Sequence, residues 1–360
     1  MQESGAGSRN AAGSSRSMSA LRPIEIVGGG LAGLALGVAL RREGVPVAIF
    51  EAGSYPRHRV CGEFIAGLAP ETIARLGLES ALAGALRHRE VAWFFEGQPE
   101  PARFQTLPSP ALGISRHVLD ARLAREFVGL GGALHERTRV TDLTTTPGRV
   151  LAHGRRPGKS PWLGLKIHVR GLALARELEL HLGAHAYVGL ARVDADTVNV
   201  CGLFRRDAAT TGVSAALLLA YLRAVGLGAL AARLEAAEID AGAFSAVAAL
   251  CFDRAVPDEE RIALGDASAM IPPFTGNGMA MAFQSAEAAL GPLTAYARGE
   301  SDWAETCRAT NAALRGRFRI RLASAHVLHP FLLQPPRQRI LRALNRVRLL
   351  PMRPLYAALH

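Results

Sequence analysis

Lysine is nearly missing from this chain: Lys159 and Lys166 are the only two in 360 residues, and arginine carries the rest of the positive charge. Cysteine is scarce too. Cys61, Cys201, Cys251 and Cys307 stand far apart with no CxxC pair, which argues against a metal site or a disulfide framework and fits a reducing, cytoplasmic setting. No apolar run approaches the ~20 residues that span a bilayer. The first residues also lack the apolar stretch of a secretory signal. Residues 1–20, rich in Gly, Ser and Ala, read as a disordered tail, with Met18 as an alternative start.

A formal net charge of +11 invites a nucleic-acid reading until it is located. Ten arginines and no Asp or Glu lie between Arg315 and Arg353, and the tail (Arg9 and Arg16 against Glu3) adds one more positive charge. The body is therefore close to neutral, and a general nucleic-acid groove is excluded.

What is present is a chain with 49% apolar residues, enough for one large domain or two intertwined ones. Pro23 to Val27 reads as a short buried strand, Leu31 to Arg42 as a small-residue helix, and Val45 to Phe50 as a second strand ending at Glu51. This βαβ start implies a parallel sheet. Helical spacing recurs at Ala69–Leu78 and Arg116–Leu130. Strand-like runs follow at Trp162–Val169, Leu178–Leu182, Ala186–Val193 and Thr197–Phe204, separated by turns, as in an antiparallel meander. Thr211–Ala237 reads as helix, Phe244–Phe252 as strand, Arg261–Gly265 as a strand returning to the first sheet, and Gly278–Ala297 as helix.

Gly28-Gly29-Gly30-Leu31-Ala32-Gly33 fits GxGxxG between the first strand and the first helix, and Glu51 lies eighteen positions after Gly33. That context is what a dinucleotide fingerprint demands. Gly28 allows the tight turn, Gly30 lets a pyrophosphate approach, Gly33 lets helix and strand pack, and Leu31 and Ala32 open the helix N-terminus toward the phosphates. Glu51 would accept ribose hydroxyls. A second signal comes more than two hundred residues later: Gly265-Asp266-Ala267, then Pro272-Pro273-Phe274-Thr275-Gly276-Asn277-Gly278, again between a strand and a helix.

With these motifs the chain resembles the aromatic-hydroxylase-like flavoproteins (group A flavoprotein monooxygenases), a family that includes geranylgeranyl reductases and flavin-dependent halogenases. The resemblance runs from Pro23 to Ala297. It implies an α/β fold like that of p-hydroxybenzoate hydroxylase: a Rossmann-type FAD-binding domain, an inserted antiparallel-sheet substrate domain and a helical C-terminus. On that pattern residues 21–67, 113–161 and 253–300 form the FAD-binding domain, 68–112 and 162–252 the substrate domain, and 301–360 a basic helical segment. Asp266 becomes a ribityl or pyrophosphate contact. Pro273 and the backbone of Gly276, Asn277 and Gly278 become neighbours of the flavin ring, where a helix N-terminus suits anionic reduced flavin. Arg57-His58-Arg59-Val60-Cys61-Gly62-Glu63 resembles the R-x-x-CG segment of the reductase and halogenase branches, which implies cofactor contacts at Arg59, Cys61 and Gly62. Arg116 after Ile114-Ser115 resembles the family's FAD-contacting arginine, and Val140 is a further implied contact. His153, in Val150-Leu151-Ala152-His153-Gly154-Arg155-Arg156, stands where hydroxylases carry the Asp of GADG.

Three reactions share this pattern. The leading expectation is an NAD(P)H-dependent monooxygenase hydroxylating a small aromatic or lipophilic substrate through a flavin hydroperoxide, with FAD as cofactor and NAD(P)H as transient reductant. A reductase of isoprenoid (geranylgeranyl-type) double bonds, fed by a separate electron donor, is the alternative. Cys61-Gly62-Glu63 points that way, although the aromatic-Trp-Phe-Pro segment of that branch is missing. Trp93, Trp162 and Trp303 are isolated, so the WxWxIP of halogenases is absent. A flavin-binding protein without turnover is a third class. Lys166 and His168 share one face of a strand, either as contacts to a phenolate or to the flavin, or as an exposed polar face. With Cys61 they are the only catalytic candidates. In Gln338–Leu350, Ile340, Leu341, Leu344 and Val347 fall on one helical face and Arg339, Arg342 and Arg346 on others. Such a helix either lies on an anionic membrane surface or packs on the domain with a solvated arginine face.

Overall fold

The computed structural model describes residues 20–155, 158–252, 259–346 and 352–359. The readings made for the tail, for Arg156 and for Val347 to Leu350 fall outside them. Along the chain, β1 (Ile24–Val27), α1 (Leu31–Arg42) and β2 (Val47–Phe50) are followed by β3 (Phe64–Ile65), α2 (Pro70–Leu76), β4 (Leu86–Phe95), β5 (Arg103–Gly113), α3 (Arg116–Gly129), β6 (Ala133–His135) and β7 (Arg149–Leu151). Then come β8 (Trp162–Arg170), β9 (Leu178–Gly183), β10 (Ala186–Arg192), β11 (Thr197–Arg205), α4 (Ala215–Ala224), α5 (Gly228–Glu235), β12 (Glu238–Ala248) and β13 (Ile262–Ala263). Four helices close the described chain: α6 (Gly278–Ala297), α7 (Trp303–Leu333), α8 (Pro335–Arg346) and α9 (Met352–Leu359).

Two sheets result. A five-stranded sheet in the order β13-β7-β1-β2-β6 is parallel throughout. Its crossover α1 buries every residue from Leu31 to Leu40, as a helix sandwiched between a sheet and a second helix must. An eight-stranded sheet runs β12-β8-β11-β10-β9-β4-β5-β3 and is antiparallel except where β4 meets β9.

The large sheet departs from a simple meander. β9, β10 and β11 follow one another, but β8 pairs with β11 and β12, not with β9. β4 and β5 carry no clean alternation in sequence: β4 begins with charged residues, and β5 holds Pro108 and Pro110. The prolines fit because the β4–β5 ladder breaks between His88 and Glu90, opposite the stretch that contains them, and a proline costs nothing where no ladder bond is needed. The long helix expected over Thr211–Ala237 is two helices, parted at Gly226 with φ +79°. The strand expected at Phe244–Phe252 begins six residues earlier, at Glu238, because β12 takes its register from β8.

The C-terminal helices pack inward. Cys307, Leu314, Phe318, Leu322 and Ala325 of α7 join the core beneath the parallel sheet, while Leu332 and Leu333 join a cluster under the large sheet. Not all of the arginines are solvated. Arg321 is buried and bonds the Gln284 side chain at 2.6 Å. Gln338 of α8 is buried too, donating to the carbonyls of Gly183 and Leu332.

Candidate functional site

β1 runs into Gly28, whose φ of +110° favours glycine. A Cβ there would lie 2.3 Å from the Ala152 carbonyl oxygen, and one on Gly33 would lie 2.1 Å from that of Gly28. Packing alone demands these two glycines. Gly30 is different. Its φ of −83° is open to any residue, and nothing lies within 4 Å of a Cβ built on it. It faces a cavity of about 980 Å³ that also takes in Leu31 and Ala32, at the upper end of the size range of ligand sites. α1 has no side-chain cap and no acidic residue in its first turn. Its free N–H groups and dipole end are thus offered to an anion.

Arg57, Arg59, Arg116 and Arg155 line the same cavity. Arg116 grips the buried Asp120 carboxylate through two bonds of 2.6 and 2.8 Å, and Arg59 reaches it at 3.2 Å. Paired this way, the guanidinium groups are held in place. Glu51 sits behind the turn and off the wall. Its carboxylate accepts Gly29 N–H at 2.9 Å, Gly53 N–H at 2.8 Å and Arg57 at 2.6 Å. Burial raises its pKa, but Gly53, Arg57 and Arg59 outweigh burial and hold it below the usual carboxylate range. Of about four acceptor positions on a carboxylate, three are engaged, which leaves room for one hydroxyl. Tyr55 donates its hydroxyl to the Gly29 carbonyl and covers that glycine.

The second motif borders the same space. Gly265, Asp266, Pro273, Gly276 and Gly278 line the cavity. Asp266 is open to it, and the protein around the carboxyl pushes its pKa up while Arg116, Arg155 and Arg59 oppose the shift. Asn277 is buried off the wall and gives its amide to the Leu359 carbonyl of α9. Val140 is half-buried in the loop after β6 and does not border the cavity. His153 and Arg155 do border it.

Beyond the charged end the wall turns apolar. Trp93, Leu180, Tyr187 and Leu203 come from the large sheet, and Met270 and Phe274 from the turns before α6. Leu328, Phe331 and Leu332 of α7 and Leu341 of α8 also belong to this wall. Sequence reasoning missed the three of α7 and placed Leu341 only on the apolar face of a basic helix. The available signal was their helical spacing on an apolar stripe.

Cys61 and Gly62 reach the wall. Burial raises the Cys61 thiol pKa against the pull of Arg116, so it is a thiol and not a ready nucleophile. Lys166 and His168 share a face of β8, but it is not an exposed face and does not border the cavity: Lys166 is fully buried and His168 nearly so. Both point at Glu63, which sequence reasoning left without a role. His168 Nε2 lies 2.6 Å from Glu63 Oε2, Lys166 Nζ 3.4 Å from Oε1, and the Arg116 N–H donates to Oε1 at 2.9 Å. Glu63 is fully buried with φ +52°, a left-handed conformation that only firm anchoring maintains in a non-glycine residue.

His58, His168 and Asp240 bring one potential metal-ligand atom each within 4.8 Å of one another. The hydrogen bonding counts against a metal there. Lys166 Nζ sits 3.0 Å from His58 Nδ1, so that nitrogen accepts and Nε2 keeps its proton.

Residues 26–63 match the family model of an NAD(P)-binding Rossmann-like domain. Over 135 residues the chain is 30% identical to menaquinone reductase of Mycolicibacterium smegmatis (strain ATCC 700084 / mc(2)155), a match covering 36% of this chain and 32% of that protein. The chain thus matches about a third of the length of that curated relative. Likenesses to solved structures cover far more. The p-nitrophenol 4-monooxygenase PnpA from Pseudomonas putida DLL-E4 superposes with a TM-score of 0.72 at 14% identity, over 94% of this chain and 97% of that one. PqsL of P. aeruginosa, in complex with 2-aminobenzoylacetate, gives 0.66 at 19%, over 88% and 98%. The flavin-dependent brominase Bmp2 gives 0.68 at 17%, over 92% of each chain. The chain therefore has the fold of the p-hydroxybenzoate hydroxylase-like flavoproteins, in agreement with the motif resemblance.

Proposed function

We propose that this protein is an FAD-dependent oxidoreductase, reduced by NAD(P)H, that monooxygenates a small aromatic or lipophilic molecule. One observation carries the reading: a single cavity joins an anion-ready end, built by Gly30, the α1 N-terminus and the arginines, to an apolar chamber. Only a long ligand with a charged middle and a flat apolar end uses both. Gly30, Leu31 and Ala32 would hold the pyrophosphate with Arg59, Asp266 the ribityl chain, and Gly276 and Gly278 the ring edge at the α6 N-terminus. Bound FAD supplies a two-electron carrier that NAD(P)H reduces. The protein orients the substrate and keeps water away from it with apolar walls contributed by the large sheet and by α7. On this reading residues 21–67, 113–161 and 253–300 serve the cofactor, and 68–112 and 162–252 serve the substrate.

The fold does not choose among reactions, since a brominase shares it as well as monooxygenases do. A second reading, reduction of a lipophilic quinone or isoprenoid by a separate electron donor, is favoured by the menaquinone reductase relative and by Cys61-Gly62-Glu63. Anaerobic addition of NADH and of NADPH to the FAD-loaded protein separates the two. Bleaching of the flavin band, its return on admitting air and a faster rate with an aromatic ligand are expected. Reduction by dithionite alone, with or without aromatic ligands, would move the assignment to the reductase.

Among the described residues no helix is long and apolar enough to cross a membrane. Contact with a membrane surface belongs to the proposal. Ile340 and Leu344 of α8 are exposed, as are Ile320 and Val327 of α7, among Arg339, Arg342 and Arg319. That mixture suits an anionic bilayer. Co-sedimentation with phosphatidylglycerol vesicles should exceed that with phosphatidylcholine and fall several-fold in the R339E/R342E double variant. Equal binding by both proteins would remove this contact.

A further inference from the structure

Behind the cavity wall lies a set of ionisable side chains that nucleotide binding does not require. Glu63 and Lys166 are fully buried, and His168 is nearly so. Only His58 of this set reaches the cavity. It is stacked on His117 of α3 with ring centroids 4.5 Å apart and meets His168 edge-on at 5.1 Å. The groups facing it are Lys166 and His168 from β8, Glu63 from its own loop, His117 from α3 and Asp240 from β12. Lys166 faces Glu63 and His58, with the Cys201 thiol in its field. His168 faces Glu63, Asp240 and, at longer range, Asp194.

The hydrogen-bond directions are determined by chemistry. A buried lysine beside an ionised Glu63 carries its charge as an ammonium, which can only donate. The 3.0 Å contact to His58 Nδ1 therefore makes that nitrogen an acceptor and leaves the proton on Nε2. Burial and the nearby Lys166, His168 and His117 charges lower the His58 pKa to about 4, so the ring is neutral at pH 7.

We infer that His58 is a proton donor to a molecule bound in the cavity, with Lys166, buried behind it, as the positioning residue that fixes its tautomer and replaces the proton it gives. In the step, His58 Nε2–H transfers its proton to an anionic oxygen or carbon of the bound molecule, and Nδ1 takes one from the Lys166 ammonium. The ligand goes from anion to neutral, Lys166 from cation to neutral amine, and His58 stays neutral; no electrons move between groups. Glu63, itself bonded by His168, holds Lys166 in line. The inference rests on the proposed use of the cavity as the cofactor and substrate site, but its first test does not.

That test is selective 15N-histidine NMR of the full chain without ligand. His58 should be neutral near pH 7 with its proton on Nε2, and K166M should convert it to a mixture of tautomers. A proton on Nδ1 in the unaltered protein would overturn the inference. The second test uses p-nitrophenol as a probe in the FAD-loaded protein, following the visible absorbance of its phenolate against pH. K166M and H58N should each raise the apparent pKa of the bound probe by about one unit, a tenfold change in phenolate fraction. The double variant should do no more than H58N alone. Unchanged pKa values, or additive ones, would overturn the relay, since a merely structural lysine moves thermal stability and not the probe. Should K166M fail to fold, H58N, which leaves the Lys166–Glu63 ion pair in place, still reads the donor. A chain that binds neither FAD nor the probe yet shows the Nε2 proton would sink the functional reading and leave the tautomer assignment standing.

Discussion

Gly30→Val is expected to give a protein that folds as well as the parent and binds no FAD at concentrations that saturate the parent. The backbone at Gly30 is already in a conformation that valine adopts, and its Cβ would meet no atom within 4 Å. No packing is lost and no strain is added, so thermal stability should stay within the ±0.5 kcal/mol usual for such sites. The new side chain would project into the space over the α1 N-terminus where a pyrophosphate must come close to the backbone. A loss of at least ~100-fold in affinity, about 2.7 kcal/mol, is expected. Gly28→Ala and Gly33→Val are the controls. At those positions a Cβ would lie 2.3 and 2.1 Å from a backbone oxygen, so the same small change should unfold the domain. A Gly30→Val protein that retains stoichiometric flavin would show that the cofactor lies elsewhere.

The second large effect is at Glu63. Glu63→Ala would leave the fully buried Lys166 ammonium without its carboxylate and the Arg116 N–H without its acceptor. Removing one partner of a buried ion pair costs about 3–5 kcal/mol. Relief of the left-handed backbone does not come with alanine, which tolerates φ +52° no better than glutamate does. Denaturant unfolding should register the full loss.

The pH dependence has a defined sign. Burial raises the Glu63 pKa, but the His168 hydrogen bond and the Lys166 and His168 charges bring it below its ordinary 4.5. His58 likewise falls from 6.5 to about 4. Both groups bind more protons unfolded than folded through these windows, so they favour the folded state at neutral pH. The His58 contribution is lost as pH drops from 6.5 toward 4, and that of Glu63 below 4.5. The parent should lose stability on acidification, and Glu63→Ala should lose less of it below pH 4.5. A variant as stable as the parent at pH 7 would mean that the cluster is not held as described.

How much of this could be read from sequence depends on how local each feature is. The βαβ start is carried by a run of about thirty residues in which glycine spacing, apolar strands and Glu51 agree, and it was legible. So were β8 to β11, bounded by turns. β4 and β5 were not: they pair mainly with each other, but that ladder breaks opposite Pro108 and Pro110, and their outer neighbours are a distant parallel strand and a two-residue edge, so the sequence shows no clean apolar alternation in them. Alternation along β8 puts Lys166 and His168 on one face, yet nothing local reveals that Glu63, more than a hundred residues away, meets them there. The α7 wall residues were hidden for the same reason. An apolar stripe on a helix reports that it is covered, not which cavity it closes.

On the proposed function the open α1 N-terminus is a flavin site, although the matching family model describes an NAD(P)-binding domain. Titration of the purified, flavin-stripped chain with FAD, and again with FAD in the presence of excess NADP+, which cannot reduce the flavin, tests it most directly. One equivalent of FAD should bind, and the nicotinamide nucleotide should leave that stoichiometry and affinity unchanged. Displacement of FAD by NADP+, or tight NADP+ binding with no FAD binding, would show that the α1 N-terminus is a nicotinamide-nucleotide site and not a flavin site.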